Sequence, residues 1–203
     1  MPLSVQIASD FVCPYCYVLE ALLERLRGEG MDIEAEYLPF ELTEPPEPRV
    51  DTVRDPERRA RYERELAPLC REIGLSMHLP PKVSPRPYTR AAFQGLCFAR
   101  EQGCEAAYVR RVFRGYFEEE RDIGDPETLL ALAAEAGVDS QALREALERG
   151  RYSEEEREAV RRAKEDLGVT VVPTLFLGGR KLEGGARSLE ELRSWLLAGA
   201  EPS

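Results

Sequence analysis

The 203-residue chain is short of several things that would settle its class at once. No stretch approaches the ~20 apolar residues of a membrane-spanning helix. The opening text, MPLSVQIASDF, lacks the basic segment and apolar core of a secretory leader. The expectation is therefore a cytoplasmic protein. Basic charge is also in deficit: 28 Lys and Arg against 38 Asp and Glu give a net charge of −10. That balance argues against non-specific binding to nucleic acid or anionic membrane, because both require a basic face. Histidine occurs once, at His78, in a proline-rich stretch where it reads as a surface loop residue rather than a general base. Cysteine is sparse and odd in number, at 13, 16, 70, 97 and 104, with only the first two closely spaced. Such a pattern is not a disulfide scaffold. Internal repeats and low-complexity tails are absent.

What is present suits a packed α/β protein. A hydrophobic share of 43% beside a charged share of 33% supports a core and excludes wholesale disorder. Leu3–Ala8 alternates with period two, as a half-buried strand does. From Pro14 the spacing changes: Val18, Leu19, Leu22, Leu23 and Leu26 form a helical stripe, entered through Pro14 and stopped by Gly28 or Gly30. Ile33, Ala35 and Tyr37 alternate again. Strand, helix, strand over ~40 residues is a βαβ unit with a right-handed crossover.

Helical text then dominates almost to residue 165. The expected helices are 56–73, 89–102, 105–119, 126–136, 140–149 and 153–166. Entry signals stand at Asp55-Pro56, Asp125-Pro126, Asp139-Ser140, and Ser153 with Glu156 as a capping box. Strand text returns at Val169–Leu177. A Gly178-Gly179 hairpin, a short strand near Lys181-Leu182 and a helix at 188–197 follow, the last with Leu189, Leu192, Trp195 and Leu196 on its apolar face. One α/β domain built from both termini, 1–45 and 166–203, interrupted by a helical insertion at 46–165, explains this order.

Cys13 and Cys16 form a CPYC pair at the first strand-to-helix junction. Residues three apart share a helix face and lie close enough to bridge. Cys13 also stands at the positive end of the helix, which favours the thiolate that carries out thiol–disulfide exchange. The expectation is an exposed, nucleophilic Cys13 and a partly buried resolving Cys16. Pro14 contributes rigidity, and Tyr15 is the position that tunes the redox poise. A zinc site would need a second close pair or well-spaced Cys/His ligands, and Cys70, His78, Cys97 and Cys104 supply none. Metal ligands are therefore not expected, although a zinc-stabilised, non-enzymatic binding module is an alternative.

These patterns resemble the DsbA-like thioredoxin superfamily, in particular the branch of FrnE-type oxidoreductases and 2-hydroxychromene-2-carboxylate isomerases. The carrying text is SDFVCPYCYV (9–18), YLPFELTEPP (37–46), FAREQG (98–103), YFEEERDIGDPETLLALAAEAGVD (116–139) and GVTVVPTLFLGGRKLEGG (168–185). The resemblance implies a thioredoxin-like fold split by a helical domain, with Pro173 in the cis form against the cysteines. It also implies that the free backbone groups of Val172 dock an extended substrate. The implied activity is thiol–disulfide oxidoreduction with protein or small-molecule thiols, with no bound cofactor. Glutathione as co-substrate stays open, because CPYC is also the glutaredoxin motif. Isomerases and transferases of this fold carry serine where Cys13 stands and use glutathione; such an activity on a small aromatic or polyketide-like molecule is the other alternative. Thr170 departs from the family's usual glycine, and a side chain there would narrow the groove.

Weaker features read as structure. Cys97 and Cys104 would stand ~10.5 Å apart along one unbroken helix, too far to bridge, but Gly103 can end that helix, so their pairing stays open. Cys70 reads as a small buried apolar residue. Asp10, three before Cys13, either influences that thiol or serves as a loop cap. Trp195 reads as core, and Tyr88, Phe93, Tyr116 and Phe117 as helix packing rather than a cleft.

Overall fold

A computed structural model describes residues 2–200. Met1 and residues 201–203, which the first and last segments of the expected domain division include, lie outside them.

Strand β1 (Leu3–Ser9), helix α1 (Pro14–Gly28) and strand β2 (Ile33–Pro39) form the expected unit. The strands run parallel, from Leu3 opposite Ile33 to Ser9 opposite Pro39. Val5, Ile7 and Ala8 of β1 and Leu19, Leu22, Leu23 and Leu26 of α1 are buried in one core. Strand β3 (Thr174–Leu177) pairs antiparallel with β1, placing Thr174 opposite Ala8. Strand β4 (Arg180–Glu183) pairs antiparallel with β3 at the edge, giving the order β2-β1-β3-β4. The β3–β4 turn uses Gly178 and Gly179, both at positive φ (56° and 75°), which hairpin twist demands.

The expected strand at Val169–Leu177 is shorter in the structure, beginning only at Thr174. Pro173 has no N–H for a ladder, and the Thr174 hydroxyl donates to the Val171 carbonyl at 2.6 Å, turning the chain there.

Between β2 and β3 lie helices α2 (Pro56–Glu65), α3 (Ala67–Ile73), α4 (Arg90–Glu101), α5 (Glu105–Phe117), α6 (Pro126–Glu135), α7 (Ser140–Glu148) and α8 (Ser153–Arg161). Helix α9 (Leu189–Ala200) follows β4. The expected helix 56–73 is two helices, broken at Leu66 because Pro68 cannot donate into a continuous ladder. Asp55, Asp125 and Asp139 accept from Arg58, Thr128 and Ala142 N–H groups, as helix caps should. The Ser153–Glu156 capping box does not form; Tyr152 holds the cap position and Glu156 turns inward. Past α8 the chain widens into a π-helical turn, Arg162–Asp166. Trp195 is only half-buried, with the Arg180 guanidinium 5.6 Å from its ring centroid.

The two halves share one continuous core. Phe11, just before the cysteines, packs against Phe93 of α4 and Phe113 of α5, at ring-centroid distances of 5.0 and 5.2 Å. Tyr17, just after Cys16, stacks on Phe113 and Phe117 of α5 at 5.4 and 5.5 Å. Where α4 crosses α5, the Tyr108 hydroxyl donates to the Ala92 carbonyl at 2.9 Å, and a Cβ at Gly95 would collide with that hydroxyl. Gly95→Ala is therefore expected to destabilise the fold by about 1–3 kcal/mol, with a smaller loss in a Tyr108→Phe background. Urea unfolding of the two single variants and the double variant measures that coupling; additive losses would contradict the packing.

Buried charge ties β2's exit to α8. Glu41 and Glu156 are both buried, and Arg90 meets Glu41 at 3.0 Å and Glu156 at 3.6 Å. Neither Glu156 oxygen nor Glu41 Oε2 has an N–H or O–H donor, so a proton held between the carboxyls would give one oxygen of each a partner. Burial, then the Glu41 carboxyl, pushes Glu156 up to about 8. A carboxyl whose folded pKa is raised stabilises the fold at low pH, and that stability is lost as pH rises through the folded value. Stability should accordingly fall between about pH 5 and pH 9, and Glu156→Gln should flatten this slope in melts taken across the range.

Candidate active site

The β1–β3 register brings the site together. β1 ends at Ser9, and the chain closes a turn in which the Cys13 N–H donates to the Asp10 carbonyl at 3.0 Å. Cys13 is the N-cap of α1, in extended conformation, and Pro14 takes the first helical position without a side-chain cap being needed. The Cys13 carbonyl accepts the N–H groups of Cys16 and Tyr17 at 3.1 and 3.3 Å. Because β3 runs back along β1, the residues just before Thr174 arrive beside this turn. The Val172–Pro173 bond is cis, and the Cys13 thiol donates to the Val172 carbonyl at 3.4 Å. Gly185 packs behind Pro173. A Cβ there would lie 2.8 Å from Pro173 Cγ, and its φ of +73° suits glycine alone.

Three expectations need correction. Cys13 is not exposed: only 4% of its surface is accessible, against 2% for Cys16, because the Val172–Pro173 segment lies over it. The Val172 carbonyl is not free, being occupied by the Cys13 thiol. Thr170 is exposed and is not among the groove's lining residues, so its side chain narrows nothing.

A groove of about 520 Å³ opens alongside, with Tyr15, Val18, Leu66, Leu69, Val172 and Ala186 in its walls. Val171, 41% exposed, stands at its edge, and Arg64, Glu65 and Arg187 supply its charge. Tyr15 is bound across the groove, its hydroxyl donating to Glu65 of α2 at 2.5 Å. Burial and that carboxylate raise the Tyr15 pKa, so the hydroxyl stays protonated. Pro14 faces away, toward a small internal space it shares with Val12, Tyr62, Pro80, Tyr116 and Phe117. Phe93, Tyr116 and Phe117 are core, and the Tyr88 hydroxyl donates to the Glu47 carbonyl, as helix and loop packing require.

Burial and the neighbouring Cys13 sulfur push the Cys16 thiol well up. Burial also raises Cys70, and it pushes Cys97 up to about 12. Cys97 and Cys104 are both free; the Cys104 thiol is turned to the carbonyls of Gln102 and Gly137. His78 is exposed, 3.8 Å from the Glu120 carboxylate. Among the described residues, no group of three or more His, Cys, Asp or Glu side chains is placed to hold a metal ion, and no helix is long and apolar enough to cross a membrane. Glu65 and Gly185 meet Tyr15 and Pro173 from segments distant in the chain, which spacing does not reveal; Asp10, marked out by its place three before Cys13, also reaches Leu42.

The DSBA-like thioredoxin domain profile matches residues 4–196. The chain belongs to that family. A curated relative, protein YwbO of Bacillus subtilis (strain 168), is 37% identical over 186 residues, covering 92% of each chain. The probable DsbA oxidoreductase SCO1869 of Streptomyces coelicolor superposes with a TM-score of 0.78 at 26% identity, covering 99% of this chain and 92% of that one. Two structures below 25% identity share the fold. A 2-hydroxychromene-2-carboxylate isomerase has a TM-score of 0.72 at 21% identity, covering 97% and 94%. The cytosolic disulfide reductase DsbM of Pseudomonas aeruginosa, solved with GSH, has a TM-score of 0.69 at 20% identity, covering 97% and 96%.

Native-state alkylation followed by mass spectrometry should modify Cys13 rapidly and the half-buried Cys104 as well, and Cys13→Ser should abolish the faster phase. Cys16, Cys70 and Cys97 should react only slowly until the protein is unfolded. Rapid native labelling of Cys97 would contradict the burial described.

Proposed function

We propose that the protein is a dithiol–disulfide oxidoreductase of the FrnE type, exchanging electrons through Cys13 and Cys16 with protein or small-molecule thiols. The observation that carries this reading is the Cys13–Val172 contact, which joins the CPYC turn to the cis-proline segment across 159 residues of sequence. In the reducing direction, the Cys13 thiolate attacks one sulfur of a substrate disulfide. The Cys13–substrate bond forms, the substrate S–S bond breaks, and the departing thiolate takes up a proton. Cys16 then gives up its proton and attacks the Cys13 sulfur. The protein disulfide forms and the second substrate thiol leaves, so the substrate gains two electrons and the protein loses two. Run in reverse, the same steps oxidise a dithiol.

The geometry gives each step a part. Loss of the Cys13 proton removes the donor that occupies the Val172 carbonyl, so thiolate formation and release of a backbone docking group coincide. The raised Cys16 pKa keeps that thiol protonated until a mixed disulfide on Cys13 relieves the neighbouring charge. The helical insertion, taken as 46–165, supplies one groove wall through Leu66 and Leu69. We place the activity in the cytoplasm and require no bound cofactor for it.

Glutathione is proposed as a small-molecule partner. The groove's volume falls in the range of small-ligand sites, Arg64 and Arg187 offer charge for carboxylates, and the DsbM structure was solved with GSH. A glutathione-dependent isomerase or transferase is the second reading, favoured by the isomerase sharing the fold. The cysteine at position 13 weighs against it, since those enzymes carry serine there.

Cys16→Ser should accumulate a mixed disulfide on Cys13 when offered oxidised glutathione or cell extract, visible as a reductant-sensitive mass increase. Cys13→Ser should lose exchange entirely. Glutathione-dependent turnover of an aromatic substrate that survives in Cys13→Ser would favour the isomerase reading instead.

A further inference from the structure

Asp10 lies under the CPYC turn and is completely buried. Its two carboxylate oxygens serve two separate segments. Oδ1 accepts the N–H of Val12, inside the turn, at 3.4 Å, and Oδ2 accepts the N–H of Leu42, beyond β2, at 2.7 Å. The Asp10 main-chain carbonyl receives the Cys13 N–H in the same turn. From the elements packed against it, Arg86 in the loop before α4, Thr89 at the α4 N-cap and Tyr116 on α5 face the carboxylate. Arg86 is itself buried and donates to Thr43 at 2.8 Å. A buried carboxylate receiving two backbone donors beside a guanidinium is a fixed brace.

We propose that Asp10 is a positioning residue for the dithiol: its carboxylate, by holding the N–H groups of Val12 and Leu42, fixes the turn that presents Cys13, and its protonation loosens that turn. The inference rests on the reading of Cys13 as the attacking thiol. A protonated carboxyl accepts more weakly and converts one oxygen to a donor, which two N–H groups cannot use. Burial, outweighing these donors and Arg86, pushes Asp10 up to about 6. The brace is therefore complete above about pH 6 and released below it, where the folded state holds a proton that the unfolded chain has already shed.

The test follows Cys13 alkylation by iodoacetamide against pH, with the rate divided by the thiolate fraction. In the wild type this corrected rate should step by roughly tenfold around pH 6, the scale of one charge-assisted hydrogen bond. Asp10→Asn, which cannot ionise, should remain on the slow plateau at every pH, and Asp10→Glu should restore a step at a displaced pH. The Val12 and Leu42 amide resonances of the wild-type protein should titrate together near pH 6, a readout that does not depend on any variant folding. An unchanged step in Asp10→Asn, or amides that do not titrate, would overturn the proposal. Failure of the redox reading looks different: Cys13 and Cys16 would not cycle with glutathione in a redox titration, whatever residue stands at position 10.

Discussion

The antiparallel pairing of β3 with β1 is the constraint on which the site depends. Placing Thr174 opposite Ala8 fixes where Val172 and Pro173 fall relative to a turn that begins only two residues after Ala8. Side chains alternate with period two, so a one-residue slip would reverse both faces of β3. Leu175 and Leu177 would leave the core, and Val172 would no longer meet Cys13. The fully buried Leu175 and the two-glycine turn into β4 hold the register. Reactive geometry here is a consequence of sheet geometry.

The helical insertion braces what the sheet assembles. Phe11 and Tyr17 bracket the cysteine pair and are both sunk into the aromatic face of α5. The chain can thus neither lift the turn nor rotate the first helical turn without exposing large apolar surface, at about 25 cal/mol per Å². Polar bracing runs alongside: Asp10 links the turn to Leu42, and the adjacent Glu41 meets Arg90 and Glu156. Asp10 on the Leu42 N–H and Glu156 against Glu41, both pushed up mainly by loss of water, therefore meet adjacent residues of one segment. Burial that rigidifies the site also makes it responsive to protons.

Concealment and reactivity are compatible in this arrangement. The Cys13 sulfur is covered by the segment that is proposed to receive substrate, and the covering contact is a weak S–H donor on a carbonyl. Ionisation removes the donor, so the cover is held most firmly in the unreactive form. On the proposed reading, the place of Cys13 at a helix tip and the partner of its thiol count for more than its exposure.

Sequence by itself determined the local chemistry and the element order. Period-two text at Leu3–Ala8, the stripe from Val18 to Leu26, the Asp caps of the insertion and the Gly178-Gly179 turn all encode interactions within a few residues, where spacing maps directly onto geometry. CPYC and VPT were likewise legible as motifs, and the structure brings them into contact. Two departures are local: Pro68 breaks the 56–73 helix, and Pro173 with the Thr174–Val171 contact delays the strand to Thr174. Tertiary structure alone decided the rest. It drew Glu156 inward from a cap it was expected to form, and it buried the thiol expected at the surface. Both of these turn on a partner far along the chain: Glu41 for Glu156, Val172 for Cys13. A linear pattern records what a side chain can do, whereas burial and hydrogen-bond partners are properties of the packed neighbourhood, fixed only when the chain closes on itself.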